Sequence, residues 1–136
     1  MTDRETIEAV IDRCYAARQK GDIETIMAAF DPDGVFELAG SKEMVAAVGA
    51  ARGHQDIRAT MTGLVAMFDF IDRDIICMMI DGERAAVHSR VKIRYVPRDM
   101  TVTTDLLDTF HFKDGKIVKF VEFADTALVK DLMSAG

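Results

Sequence analysis

Apolar residues recur at helical spacing through the first half of the chain and alternate with polar ones through the second. Ile7, Val10, Ile11 and Cys14 share one face, with Tyr15 at its edge, and predict a helix over residues 3–20. Gly21 stops that helix and Asp22 caps a second one, whose apolar face is Ile23, Ile26, Met27 and Phe30. Pro32 and Gly34 end it, and a short strand, Val35 to Leu38, follows. Residues 42–52, with Met44, Val45 and Val48, predict a short helix. Residues 54–70 predict a longer one, along which Ile57, Met61, Leu64 and Phe68 line one face.

The period then changes. Residues 74–80, 84–96, 101–113 and 116–123 predict strands joined by short turns at Asp81-Gly82, Pro97-Arg98-Asp99-Met100 and Asp114-Gly115. Short turns imply antiparallel neighbours, and helices followed by a meander imply an α+β fold with the helices packed on one face of the sheet. A last short helix is expected over residues 126–133. On the strand at 84–96, Val87, Ser89, Val91, Ile93 and Tyr95 face the helices, while His88, Arg90, Lys92 and Arg94 face outward. With Arg98 and Asp99 as a two-residue turn, Val91 lies opposite Leu106, Ser89 opposite Asp108, and Lys92 opposite Asp105.

The chain of 136 residues is expected to form a single domain, 1–136, enclosing one apolar cavity. A net charge of −6 argues against a nucleic-acid partner. The longest apolar run, Ile75 to Ile80, is too short to span a membrane. The N-terminal residues hold no apolar signal core, and Cys14 and Cys77 have no disulfide spacing, so a reducing cytoplasm is expected. His54, His88 and His111 form no ligand spacing, and no phosphate-binding glycine motif occurs; neither a metal nor another cofactor is expected.

Asp108 draws attention because it interrupts an apolar strand face between Leu106 and Phe110. A buried carboxylate is costly unless it is paired, hydrogen-bonded or protonated. It is either a structural carboxyl bonded to a helix or to Ser89, or a proton donor in a pocket. Glu122 depends on the last turn. A two-residue Asp114-Gly115 turn sends it outward and buries Lys119. A three-residue loop pairs Phe112 with Val118, Phe110 with Phe120 and Asp108 with Glu122, and avoids the buried lysine. The second register is preferred, and it sets two carboxyls side by side, so that one pKa rises. Tyr15 is either a substrate anchor or a core-edge tyrosine with its hydroxyl in water. Cys14 is read as a small core residue. The candidate catalytic group is therefore Asp108, Glu122 and Tyr15, in a pocket lined by Cys14, Leu38, Met61, Ser89, Val91, Phe110 and Phe120.

Gly21-Asp22-Ile23-Glu24-Thr25-Ile26, Phe30-Asp31-Pro32-Asp33-Gly34-Val35-Phe36, the Arg52–Arg58 segment and Phe112–Ile117 together resemble the nuclear transport factor 2-like superfamily, more narrowly its ketosteroid isomerase and SnoaL-like branch. The resemblance spans the chain and implies a cone-shaped fold. It implies a strand aspartate kept protonated as a hydrogen-bond donor, a position matched by Asp108. The family's base position holds Leu38, with Glu37 beside it, and its helix-one tyrosine position holds Cys14, with Tyr15 adjacent. Steroid isomerisation by that mechanism is not expected. The resemblance further implies that Glu122 lines the cavity. SnoaL-like cyclisation implies an acid–base carboxylate, for which Asp108, Glu122 and Asp125 are candidates. An Asp-Arg-Asp epoxide hydrolase constellation is not expected, because the arginines are placed on outer faces. The expected function is cofactor-independent isomerase, cyclase or dehydratase chemistry on a small apolar carbonyl or polyketide-like compound. The alternatives are a non-catalytic binder or a dimerisation domain. A homodimer through the sheet's convex face, with Leu107, His88, Arg90 and Lys92, is also implied.

Overall fold

The computed structural model describes residues 2–42 and 48–134. Helix α1 (Arg4–Lys20) starts where the Asp3 carboxylate accepts a 2.8 Å hydrogen bond from the Thr6 N–H. It ends at Gly21, whose φ of 70° is left-handed and suits a residue without Cβ. Asp22 caps α2 (Ile23–Ala28) through the Thr25 N–H and hydroxyl, at 3.1 and 2.6 Å. The remaining elements are β1 (Phe30–Leu38), β2 (Gly49–Arg52), α3 (Gly53–Met67), β3 (Phe68–Asp81), β4 (Arg84–Tyr95), β5 (Met100–Lys113), β6 (Lys116–Phe123) and α4 (Thr126–Met133). The fold is α+β, as expected: one six-stranded sheet, in the order β2-β1-β6-β5-β4-β3, curls around the helices. Every neighbouring pair is antiparallel except β1 and β6, which run parallel.

The inner face of the sheet and the apolar stripes of the helices form one core. Ile7 and Ile11 of α1, Ile57 of α3, Val87 of β4, Phe112 of β5 and Ile117 of β6 are fully buried there. A second cluster joins Leu132 of α4 to Val91, Ile93, Tyr95 and Leu106, which ties the C-terminal helix to β4 and β5. Among the described residues no helix is long and apolar enough to cross a membrane.

Several expectations need correction. Phe30, expected on the second helix, opens β1, and residues 68–70, expected to end the helix over 54–70, open β3. The helix over 42–52 is not formed at its end: Gly49–Arg52 is a strand paired with β1, and Gly49 has a φ of 140°, which no helix accommodates. Residues 43–47 of that span lie outside the described residues. The β4–β5 turn is longer than two residues. Pro97 sits in a 3₁₀ turn, Val96–Arg98, and left-handed Asp99 (φ 50°) completes it, so Tyr95 faces Met100. Ser89 therefore lies opposite Leu106, Val91 opposite Thr104 and Lys92 opposite Thr103; Arg90, not Lys92, meets Asp105. A slip of two residues leaves every side chain on its expected face. At the last turn Asp114 and Gly115 both have positive φ, 51° and 78°, as a two-residue type I′ turn requires. Phe112 pairs with Ile117, not Val118; a bulge then restores the Phe110–Phe120 and Asp108–Glu122 pairs.

Candidate functional site

Tyr15 faces inward from α1 one residue after Cys14, and its hydroxyl donates a 2.6 Å hydrogen bond to Oδ2 of Asp108. Tyr15 is 5% exposed and Asp108 is 0% exposed, so this tyrosine hydroxyl is not in water. On the neighbouring strand Glu122 stands directly opposite Asp108. Burial, and then the charge of Glu122, push the Asp108 carboxyl well above the usual carboxylate range, while Tyr15 and Arg73 pull the other way. The Asp108 Oδ1 atom is buried with no partner among the described residues. A proton held on Asp108 and directed at Glu122 would satisfy the orphaned oxygen. Burial, then the nearby Asp108, raises the Tyr15 hydroxyl, and burial likewise pushes the Cys14 thiol up to about 12. Both stay neutral.

This group backs onto a cavity of about 100 Å³ between α1, α3, α4 and the sheet. Its wall is largely apolar, with Leu38, Met61, Leu64, Phe68, Phe120 and Val129 among its residues. Of the expected lining, Cys14, Leu38, Met61 and Phe120 border the cavity. Ser89, Val91 and Phe110 do not; they are buried at 0%, 1% and 2% exposure in the surrounding core. Tyr15 and Glu122 reach the cavity wall, whereas Asp108 is set behind it. Asp125 is elsewhere occupied, as the cap of α4 through the Leu128 N–H at 3.1 Å.

The arginines overturn a sequence expectation, because Arg18 and Arg73 both border the cavity. The Arg73 guanidinium lies 3.7 Å over the Tyr15 ring, donates to the Ser89 hydroxyl at 2.9 Å, and sits 3.8 Å from Asp108 Oδ2. It points inward because β3 carries a bulge between Phe70 and Asp72. Simple alternation would place Arg73 on the face opposite Phe68 and Phe70, but one extra residue returns it to theirs. Arg18 stacks over Phe70 and donates to the carbonyl oxygens of Leu64 and Phe68 at 3.2 and 2.8 Å. Only its position four residues after Cys14 hinted at this inward reach.

A helix-capped, curved sheet closed around an apolar cavity is the nuclear transport factor 2-like architecture. Within it the chain belongs to the SnoaL-like domain family, whose model matches residues 11–120. A nuclear transport factor 2-like protein of unknown function from Burkholderia pseudomallei K96243 is similar over 99% of this chain and 100% of its own, with a TM-score of 0.84 at 20% identity. TerC, co-crystallised with polyporic acid, superposes with a TM-score of 0.77 at 22% identity, over 93% of this chain and 96% of its own. An LEH-like epoxide hydrolase of M. tuberculosis does so with a TM-score of 0.71 at 20% identity, over 92% and 87%. No curated protein matches the chain by sequence.

Proposed function

We propose that this protein is a cofactor-independent acid–base catalyst that moves a proton on a small, largely apolar carbonyl compound, in the manner of an isomerase, cyclase or dehydratase. The observation that carries this reading is the line from Tyr15 through Asp108 to Glu122, which ends at the wall of an apolar cavity. Glu122 is the carboxyl that can touch a ligand. Asp108 acts through it, as a neutral donor that keeps Glu122 oriented and holds the pair to one proton. Tyr15 spends its hydroxyl hydrogen on Asp108 and fixes that carboxyl in turn.

In the step this arrangement supports, the Glu122 carboxylate takes a proton from the carbon next to a carbonyl. The C–H electron pair becomes a C=C bond and the carbonyl pair moves onto oxygen. Return of a proton from Glu122 to another carbon completes an isomerisation with no other reactant, and exchange of the Glu122 proton with water before that return carries solvent hydrogen into the product. The test is deuterium incorporation from heavy water into a panel of apolar ketones, terpenoids and polyketide-like compounds. Exchange in the wild type that is lost in Glu122→Gln is the expected result; exchange that persists in the variant removes Glu122 from the mechanism.

A second reading, binding without catalysis, is favoured by Leu38, an apolar residue on the cavity wall where the resembling isomerases carry their base. Ligands that raise the melting temperature yet undergo no exchange would establish it. We further propose a homodimer through the convex face of the sheet, where Leu107 and Phe123 are 40% and 47% exposed, and a cytoplasmic setting suited to the free thiols of Cys14 and Cys77. Sedimentation of the wild type against Leu107→Glu tests the dimer.

A further inference from the structure

The charged groups around the cavity do not balance, and from that we infer that its ligand is a monoanion: a largely apolar molecule carrying one ionised enol or phenol oxygen, held by Arg73. This deepens the acid–base reading and rests on it for the single proton shared by Asp108 and Glu122. Among the described residues, two guanidinium groups, Arg18 and Arg73, border the cavity against the Asp108–Glu122 pair, which carries one negative charge when it shares a proton. Cys14 and Tyr15, also on its wall, are neutral. One positive charge is therefore left over inside a largely apolar wall, where an unpaired charge is expensive.

The two arginines are not equivalent. Arg18 is half-buried and spends Nη2 on the Leu64 and Phe68 carbonyls, which ties that end of its guanidinium to the backbone. The Arg73 side chain is 5% exposed and makes one hydrogen bond among the described residues, from Nη1 to Ser89. Its nearest carboxylate oxygen, Asp108 Oδ2, is 3.8 Å away, beyond hydrogen-bonding reach, and already accepts from Tyr15. A guanidinium fork normally meets an oxyanion with paired N–H groups. Here the aromatic rings of Tyr15 and Phe70, 3.7 and 5.3 Å from the guanidinium carbon, hold the group in place. The rest of the fork has no acceptor among the described residues. An enolate or phenolate oxygen supplies both the acceptor and the missing charge. The same contact favours the charge that develops on a carbonyl oxygen when Glu122 removes a neighbouring proton.

The test uses two ligands of nearly equal size, 1-phenylbutane-1,3-dione, which forms an ionisable enol, and its 2,2-dimethyl derivative, which cannot. Dissociation constants are measured by calorimetry near neutral pH, and ultraviolet absorption reports the ionisation state of the bound dione. The wild type should bind the ionisable dione about tenfold more tightly or better, with the absorption of its enolate. Arg73→Met should erase the preference, and Arg73→Lys should keep part of it. Equal affinities in the wild type, tighter binding of the blocked derivative, a preference that survives in Arg73→Met, or no binding of either dione overturns the inference. Deuterium exchange on a neutral ketone is scored separately. Preference without exchange removes catalysis and keeps the anion site; exchange without preference does the reverse.

Discussion

Asp105 and Asp108 lie three residues apart on β5, each beside an arginine, and the structure gives them opposite fates. Asp105 points outward, where Arg90 donates to it from Nε at 3.0 Å and His88 Nε2 lies 3.0 Å away. The hydrogen bond from Arg90, then that from His88, lowers its carboxyl below the ordinary range. Asp108 points inward, has Arg73 at 3.8 Å, and is nonetheless raised, because burial and Glu122 outweigh the cation. An arginine nearby does not decide whether an aspartate is charged; the water lost on folding and the next carboxyl decide it. On one strand the outer face thus makes a surface ion pair and the inner face makes a carboxyl that holds its proton longer.

The sharpest way to break this contrast is at the carboxyl pair. Glu122→Gln should lower carbon-proton exchange by roughly 10²–10⁴-fold, the usual worth of one positioned acid–base group, as measured by NMR. Next, Tyr15→Phe should cost about 1 kcal/mol of stability by denaturant titration, since it removes a buried hydrogen bond, and should slow exchange with it. The pH dependence separates the two aspartates by sign. A raised folded pKa means that the native state holds its proton longer than the unfolded chain. Asp108 therefore weakens stability as pH rises above its unfolded value of about 4, and the loss ends once pH passes the folded value. Melting temperatures across that range should fall for the wild type relative to Asp108→Asn. Asp105 has the opposite sign: its contribution is present above about pH 4 and fades as pH falls through its lowered value. Asp105→Asn should thus show only a small loss, confined to the neutral side, and unaltered exchange. A wild-type curve parallel to that of Asp108→Asn would mean that Asp108 is ionised in the fold.

How much of this was legible follows from the range of the interactions. The stripe Ile7, Val10, Ile11 and Cys14 and the caps Gly21 and Asp22 are local, so α1 forms and α2 starts where they predict, whereas Phe30, expected on α2, opens β1. Asp108 was legible because a carboxylate among Leu106, Phe110 and Phe112 breaks a period of two. Its pairing with Glu122 was legible because burying Lys119 is costly, although a two-residue turn plus a bulge achieves it in place of a longer loop. Arg73 was not legible. The bulges in β3 at Ile71 and Ile76 reset its alternation, and nothing in Phe68-Asp69-Phe70-Ile71-Asp72-Arg73 marks where the extra residue falls. The parallel pairing of β1 with β6 was equally hidden, because it joins distant segments.

That pairing constrains how the chain can be made. Phe36 sits beside Phe120, and Phe30 beside Ile117, so the strand that follows the first two helices finds its second partner only near the end of the sequence. Closing so long a loop is slow, and the rate of folding falls as such distant contacts multiply. On a ribosome the N-terminal helices would emerge with their apolar faces unmatched, and neither Tyr15 nor Asp108 would have the other until most of the sheet had been synthesised. A chain cut before β6 should therefore yield aggregated protein in place of a smaller stable domain. The cavity, and any chemistry in it, comes into being only when the last strand docks.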